Sequence, residues 1–382
     1  MQEQKVCEGR SMLPGWMMLL ILTAGVFLTD RATGRETEER PEEGVGREFI
    51  AIRDLRRWEC QESPGARTLI SPSLPLREPA NEVIVSWNMI APPESGLTVE
   101  VQACCGERRT RWYVLGHWTP GGGSRARESV GGQQDADGAV QTDILVLRQP
   151  ASAVVVRLTL HAGLDGAFPK VKFLGISLTD TTRTPGERPP NRAVWGRELA
   201  VPGRSQLEWP EGSGWCSPAS TGMVLAFWAQ RLKRPELDVP VPEVARAVYD
   251  RVYAGTGNWP FNTAFAGGFP GMRAYVTRMP DIRALEDWIA AGVPPVVSVS
   301  YDLLRGRQRD RDPGHLMVCI GFTSDGDIVL NDPAHRPERG EKARSVYPRA
   351  RFLRAWKRSE YTAYLIYPEK ARRPPNTMFC WE

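Results

Sequence analysis

The 382-residue sequence predicts a multidomain protein in which an antiparallel, jelly-roll-like β-sandwich precedes an α+β domain. Between residues 49 and 180, strand patterns follow one another without a long helical pattern. From about residue 195, helical patterns come first and strand patterns afterwards, which is typical of an α+β domain. The length suits about two to three domains of ordinary size.

The β-sandwich prediction, residues 49–180, depends on six segments rich in β-branched and aromatic residues. They are residues 82–90, 97–105, 110–118, 140–147, 152–161 and 170–178. Several alternate apolar and polar side chains, and stretches such as PPESG, PGGGS and DADG predict turns between them. Residues 181–194, rich in Pro, Thr and Arg, are predicted to be a linker.

The α+β prediction, residues 195–368, combines three helical patterns with four strand patterns. The helices are predicted at 216–232, 239–253 and 279–292, and the strands at 293–301, 315–322, 327–332 and 361–368. Pro242 suits a first helical turn, Asp281 an N-cap and Gly292 the position after a helix end. Residues 369–382 are assigned to a C-terminal tail.

The N-terminal residues 1–29 predict a signal peptide or a membrane anchor. Lys5 and Arg10 precede an uncharged stretch, residues 11–29, whose apolar centre has the length of a signal-peptide core and is short for a membrane span. Either outcome places the rest of the chain outside the cytoplasm, secreted or anchored. The polar, charged residues 30–48 that follow predict a disordered linker.

Composition and motifs exclude several classes of function. The 49 basic and 45 acidic residues are intermixed and give a net charge of +4, which argues against a nucleic-acid partner. The sequence lacks a complete HExxH, P-loop, paired CxxC zinc, GxSxG or EF-hand pattern, so no metal and no cofactor are expected.

The sequence leaves the pairing of four cysteines open. An oxidising compartment permits disulfides among Cys60, Cys104, Cys105 and Cys380. A bridge between the adjacent Cys104 and Cys105 would be strained, so each is expected to pair elsewhere or to stay free.

Cys216 is the candidate nucleophile. It stands at the predicted start of the helix 216–232, and Pro218 suits the first turn of that helix. A helix N-terminus and a neighbouring imidazolium both favour the reactive thiolate over the thiol. The competing interpretation is a buried structural cysteine, since free cysteines are among the most buried residues.

His315 and Asp332 are the candidate base and orienting acid. His315 opens the strand 315–322, and Asp332 closes the strand 327–332 of a predicted hairpin, so both lie towards its open end. A tight two-residue turn at Asp325-Gly326 would offset the two residues along the hairpin, so a bulge or twist is required. A structural histidine and a simple strand-ending turn are the alternatives.

Gln206 is the candidate oxyanion donor. It precedes Cys216 by a short loop, so its side-chain amide could donate to a developing oxyanion together with the backbone N–H of Cys216.

The sequence resembles the bacteriocin-processing cysteine peptidase-like family of the papain-like clan. The segments VPGRSQ, WCSPAS, AAGVPPVVSV, GHLMVCIGF and GDIVLNDPA carry the resemblance, and it is strongest to exported stand-alone forms with an N-terminal β-sandwich. It covers about residues 49–368 and implies a papain-like fold, with Cys216 as nucleophile, His315 as base, Asp332 as orienting acid and Gln206 as oxyanion donor. Ser217 departs from the Gly that many members have there, and the gap between Gln206 and Cys216 is longer than in some.

These observations predict an exported cysteine peptidase that acts on a peptide or protein through a Cys-His-Asp triad and a thioester. One alternative is an amidase or acyltransferase on cell-wall or other non-protein amides. Another is an inactive binding protein whose β-sandwich recognises a glycan or cell-surface polymer. Trp87, Trp112 and Trp118 could stack on sugars there, although core packing is the favoured use of strand tryptophans.

Overall fold

The computed structural model of the chain describes residues 46–121, 127–307 and 314–382. The predicted signal peptide or anchor, residues 1–29, and residues 30–45 of the predicted linker lie outside this part of the chain. Within the described residues, no helix combines the length and apolar character that crossing a membrane requires.

The N-terminal half is dominated by one antiparallel sheet of ten strands. Its strands are β1 (Arg47–Ile52), β2 (Glu59–Ser63), β3 (Ala66–Ile70), β4 (Leu74–Ile90), β5 (Gly96–Cys105), β6 (Arg108–Arg109), β7 (Tyr113–Trp118), β8 (Gly138–Gln141), β9 (Ile144–His161) and β10 (Lys170–Thr179). Six of them follow the order β1-β10-β4-β9-β3-β2, while β5 joins β6, β7 and β9, and β8 pairs with β9. The sheet-rich N-terminal region is therefore as the sequence predicted.

The sequence predicted two strands, at 140–147 and 152–161, but from residue 144 onwards the structure has the single strand β9. It runs without a break through Pro150, and β4, its partner, changes register between Pro75 and Glu82. Proline is compatible with a strand at such irregular, unpaired positions, because no ladder hydrogen bond is lost there.

The C-terminal half contains a second antiparallel sheet and a small set of helices. The strands are β11 (Met272–Arg278), β12 (Val296–Ser300), β13 (Gly314–Phe322), β14 (Ile328–Asn331), β15 (Arg344–Tyr347) and β16 (Thr362–Pro368), in the order β11-β16-β12-β13-β14-β15. The helices are α1 (Cys216–Leu232), α2 (Val241–Val248), α3 (Trp259–Gly268), α4 (Ile282–Ala290), α5 (Tyr301–Leu304) and α6 (Arg349–Lys357). Of these elements, β11, β15, α3, α5 and α6 were not predicted from the sequence.

Helix α2 ends earlier than predicted, at Val248 instead of residue 253. The guanidinium of Arg127, from the N-terminal region, donates to the carbonyl oxygens of Arg246 and Tyr249. At a helix end these carbonyl oxygens would otherwise lack a hydrogen-bond donor. The guanidinium of Arg127 supplies that donor in place of the backbone N–H groups of a further helical turn.

The two sheets meet through β4 and β11, an outer strand of the second sheet. The side-chain amide of Asn88 accepts from the backbone N–H of Ala274 and donates to its carbonyl oxygen, at 3.0 and 2.6 Å. The hydroxyl of Ser86 accepts from the N–H of Val276. Gly267 allows this approach, because a Cβ there would lie 2.1 Å from the Asn88 amide nitrogen. Side chains of β4 thus provide hydrogen-bond partners for the backbone of Ala274 and Val276 at the outer edge of β11.

Helix α3 covers the core of the first sheet. Trp87 and Trp118 are buried and pack against Phe261 of α3, with ring centroids 6.1 and 5.2 Å away. These two tryptophans are therefore core residues, and the guanidinium of Arg157 covers the half-buried ring of Trp112.

The predicted linker and tail both pack against the second sheet's helices and strands. Arg188 in the linker forms an ion pair with Asp281, whose carboxylate also caps α4 through the N–H of Ala284. In the tail, Trp381 is buried and packs against Trp288. The described residues form one compact unit.

Candidate active site

Cys216 is the first residue of α1, and the chain enters that helix through a tight turn. Trp215 donates its N–H to the Gly212 carbonyl and accepts from the N–H of Ala219. Residues 217–229 of α1 are all buried, so packing on every side fixes the helix axis. The helix N-terminus carries a partial positive charge, which favours a thiolate at Cys216.

His315 lies on β13, directly opposite Val299 of β12. Its Nε2 atom is 2.7 Å from Oδ1 of Asp332. The ring and the Cys216 thiol also interact, since each shifts the pKa of the other, and Nδ1 is the ring nitrogen that Asp332 does not engage. The hydroxyl of Ser220 in α1 donates to the Leu316 carbonyl, which holds the helix against the strand. The structure thus brings Cys216, His315 and Asp332 together.

Two features of the β13–β14 hairpin place Asp332 within reach of His315. The connecting loop has three residues instead of two, because Thr323 and Asp327 form the closing hydrogen bond and Gly326 has φ +83°. The register then shifts between Cys319 and Gly321, as a bulge. With a two-residue loop and no bulge, Asp332 would stand opposite Cys319, four residues from His315.

The loop and the bulge each move Asp332 one residue along β13. The observed pair Val318 and Asn331 therefore places Asp332 level with Met317, two residues from His315. An even offset keeps both side chains on the same face of the sheet, and two residues span only about 7 Å. The predicted need for a bulge is thus met at Ile320, whose carbonyl accepts from the N–H of Leu199.

Tyr301 is a site residue that the sequence analysis did not identify. Its hydroxyl donates to Oδ2 of Asp332 at 2.8 Å, and its ring lies against His315 with centroids 4.1 Å apart. The backbone N–H of Ala334 also donates to Asp332. No local sequence pattern marks this residue, because its contact depends on the pairing of β12 with β13.

The three groups shift one another's pKa values towards an ion pair. Burial alone would raise the pKa of Cys216, but the hydrogen bond and charge of His315 bring it below its usual value. Burial alone would lower the pKa of His315, but Asp332 and Cys216 raise it to about 9. Burial would raise the pKa of Asp332, whereas His315 lowers it. The pair therefore favours thiolate and imidazolium.

Gln206 is buried next to residues 212–215, which precede Cys216 and are called here the nucleophile loop after the predicted role of that cysteine. The side-chain amide of Gln206 is engaged by this loop. Its Nε2 donates to the carbonyl oxygens of Gly212 and Ser213, at 3.0 and 2.9 Å. Its backbone N–H donates to Pro333, the residue after Asp332. Gly212 permits the close approach, since a Cβ there would lie 1.7 Å from the Gln206 carbonyl oxygen. In this state Gln206 joins the nucleophile loop to the Asp332 turn.

The other histidines and cysteines do not contact the side chains of Cys216, His315 and Asp332 in the hydrogen bonds described here. His117 and His161 both hydrogen-bond the Thr98 hydroxyl in the first sheet, and His335 bonds the Asp332 carbonyl. Cys60, Cys104, Cys105, Cys216, Cys319 and Cys380 are free thiols. Within the described residues, no group of three His, Cys, Asp or Glu side chains is arranged to hold a metal ion.

A thiol at a helix start that interacts with an imidazole, which in turn is hydrogen-bonded to a carboxylate, is the arrangement typical of enzymes with a cysteine nucleophile. Residues 198–364 match the Peptidase_C39 like family, and residues 54–179 match the Peptidase C39 N-terminal domain. The protein belongs to a C39-like cysteine peptidase family. A comparison with curated proteins finds no match. The family suggests cysteine peptidase activity, with a protein or peptide as substrate.

Proposed function

We propose that the protein is an exported cysteine peptidase with Cys216 as nucleophile, His315 as general acid and base, and Asp332 as the orienting acid. The observation that carries the proposal is that His315 is hydrogen-bonded to Asp332 while its ring and the Cys216 thiol shift each other's pKa. We further propose that the first sheet is a jelly-roll-like β-sandwich and that the second domain is papain-like. The apolar residues 17–28, behind Lys5 and Arg10, support export.

The reaction needs no group beyond water and these side chains. The thiolate attacks the peptide carbonyl carbon, and the carbonyl oxygen gains the negative charge. The C–N bond then breaks, His315 donates its proton to the leaving amine, and a thioester remains on Cys216. His315 next takes a proton from water, which attacks the thioester and releases the acid and the thiolate.

The oxyanion would be held by the backbone N–H of Cys216 at the helix start. Donation from Gln206 requires its amide to leave the carbonyl of Gly212 or Ser213, so substrate binding would have to shift the nucleophile loop. Tyr301 is proposed as a positioning residue, because it contacts Asp332 and the His315 ring but no reacting atom.

A peptide library, with products identified by mass spectrometry, tests the proposal. The wild-type protein and the control variant Cys60→Ala, which removes an exposed thiol, should cleave the same peptides. Cys216→Ala should cleave none. Undiminished cleavage by Cys216→Ala would overturn the mechanism. Transfer of the acyl group to added amines, in place of hydrolysis, would instead identify an acyltransferase.

A further inference from the structure

A cavity of about 570 Å³ opens beside the residues that precede Cys216. One side is formed by Ser213, Gly214 and Trp215 of the nucleophile loop. The opposite side includes Tyr249, Gly255 and Thr256. Cavities of this size hold small ligands or side chains in other proteins, where roughly 300–1,000 Å³ is usual.

The segment from Tyr249 to Thr256, called here the 249–256 loop, forms the outer wall. It carries three half-exposed apolar side chains, Tyr249, Val252 and Tyr253. Thr256 donates its hydroxyl to the Gly214 carbonyl at 2.9 Å, so the loop is bonded directly to the nucleophile loop. Burial, followed by nearby negative charges that include the Cys216 thiolate, raises the pKa of Tyr253. The wall therefore reaches the vicinity of the nucleophile.

The N-terminal domain holds this loop in place. Arg127 donates to the carbonyl oxygens of Tyr249, Arg246 and Thr119, at 3.0, 2.5 and 3.1 Å. All three guanidinium nitrogens are thereby engaged with backbone oxygens, so Arg127 does not present a free cation to the cavity. It lines the cavity as a structural clamp.

A second clamp lies next to the first. Asp250 is fully buried, and its Oδ1 accepts from the backbone N–H of Ser129 at 3.0 Å. The same oxygen accepts from the N–H groups of Val252 and Tyr253 within the loop. Glu128 and Arg251 add an ion pair of 2.7 Å. Residues 127–129 of the N-terminal domain therefore fix the backbone of the whole loop.

The lining favours a large apolar occupant. Trp215 and Tyr249 supply aromatic surface, and Ala245 and Ala254 supply small apolar surface. Three charged side chains line the cavity. Glu211 and Arg246 are exposed and opposite in sign, and the guanidinium of Arg127 is directed at backbone oxygens, so the lining offers an occupant mainly apolar surface. An aromatic side chain gains most from such a site, through apolar burial and ring contacts.

We propose that this cavity is a substrate subsite for an aromatic or large apolar side chain next to the scissile bond, and that the N-terminal domain builds it by clamping the 249–256 loop through Arg127. The inference rests on the proposed peptidase function for the identity of the substrate. Tyr249 is then a specificity-determining residue, and Arg127 is a positioning residue.

Two alkylating reagents test the site without requiring peptidase activity. Iodoacetamide and N-benzyl-iodoacetamide both form a bond from sulfur to carbon and release iodide, but only the second carries an aromatic group. The ratio of their rates at Cys216 cancels the fraction of thiolate, because both reagents consume the same species. The exposed Cys60 in the same molecule gives the intrinsic ratio.

We expect the benzyl reagent to be favoured at Cys216 over Cys60 by about tenfold or more. Tyr249→Ala and Arg127→Ala should bring the Cys216 ratio towards that of Cys60. Arg111→Ala, which removes an exposed arginine of the N-terminal domain paired with Asp135, is the control and should keep the wild-type ratio. Melting temperatures of all variants identify any that do not fold, and Tyr249→Ala at an exposed position keeps the test valid if Arg127→Ala unfolds.

Equal ratios at Cys216 and Cys60 in the wild-type protein would overturn the subsite. A raised ratio that survives both Tyr249→Ala and Arg127→Ala would overturn the role of the loop. A third outcome is slow alkylation of Cys216 by both reagents, with the benzyl reagent still favoured at Cys216 over Cys60. That result would contradict the activated thiol of the proposed function and would still support the subsite.

Discussion

Nε2 of His315 lies 2.7 Å from Oδ1 of Asp332, although one residue lies at the start of the first strand of a hairpin, the other follows the second strand, and the register between the strands is irregular. The contact leaves the second ring nitrogen for Cys216 and supports the positive form of the ring. Its removal should therefore affect both the reactivity of the thiol and the pH range of activity.

Asp332→Asn should lower kcat/KM by about 10²- to 10⁴-fold, since an amide neither holds the ring in the same tautomer nor stabilises the imidazolium. The matched control is Asp325→Asn, an exposed position in the same hairpin. Steady-state kinetics on a cleaved peptide measure the difference. Equal kcat/KM values for Asp332→Asn and Asp325→Asn would show that Asp332 plays no part in catalysis.

Activity should have an alkaline limit near pH 9. The active pair forms above the lowered pKa of Cys216 and is lost as pH rises through the pKa of His315, which Asp332 and Cys216 raise to about 9 against an ordinary value of about 6.5. In Asp332→Asn the limit should move to lower pH. The pH dependence of kcat/KM gives both limits, and an unchanged alkaline limit in the variant would contradict this assignment.

The bulge at Ile320 depends on the absence of a side chain at Gly321. A Cβ there would lie 2.1 Å from the Arg197 carbonyl oxygen, so Gly321→Ala must displace the segment that covers the bulge. We expect a loss of about 1–3 kcal/mol in the free energy of unfolding, with reduced Cys216 alkylation. Gly186→Ala, where nothing lies within 4 Å, should change neither. Equal denaturation midpoints for the two variants would show that the site tolerates a side chain.

Ser217, the second residue of α1, is accommodated by Tyr364. The two hydroxyls are 2.9 Å apart and both side chains are fully buried. Tyr364→Phe should lower the free energy of unfolding by about 1–3 kcal/mol, because the Ser217 hydroxyl is left without its partner. Adding Ser217→Ala to Tyr364→Phe should recover part of that loss. Additive losses in the double variant, measured by urea denaturation, would mean that the hydroxyl pair contributes no coupling.

Asp143 should make stability depend on pH. It lies in the turn before β9 and accepts from the Trp259 N–H at the start of α3, at 2.6 Å. Burial raises its pKa to about 7, above an unfolded value of about 3.9. The folded state thus binds the proton more tightly, and this contribution to stability is lost as pH rises from about 4 through 7.

Asp143→Asn keeps an accepting oxygen but cannot ionise. Relative to the wild-type protein, it should be more stable at pH 8 than at pH 5, as measured by denaturation at both values. Asp325→Asn, at an exposed position, should show no such difference. If the free energy of unfolding changed with pH in the same way in the wild-type protein and in Asp143→Asn, Asp143 would not be the cause of the pH dependence.

The sequence predicted the elements whose patterns are local. Helix α1 begins at Cys216 as expected, and α4 has its N-cap at Asp281 and Gly292 with φ +82° just beyond its end. The strands β12, β13, β14 and β16 fall within or close to their predicted ranges. Periodicity and capping residues carry that information in the chain itself.

What depends on tertiary contacts could not be predicted in the same way. The early end of α2 follows from Arg127, which is far away in sequence. Helix α3, with the sequence WPFNTAFAGG, is apolar on most sides because it is buried between the sheets, so no amphipathic pattern marks it.

The sequence order pointed to Cys216, His315 and Asp332, which the structure brings together, while their catalytic roles stay a prediction. The contact of Tyr301 required the pairing of β12 with β13, and the engagement of the Gln206 amide required the path of the loop. Neither is encoded in a short motif, because each depends on how separate segments meet.

Asn88 and Ser86 occupy hydrogen-bonding positions in the middle of the outer edge of β11, and this has a consequence for recognition. An incoming extended chain cannot pair along that edge of the second sheet. Among the described residues, β15 is the outer strand at the opposite margin of the sheet, so main-chain pairing with a visiting polypeptide is confined to that margin.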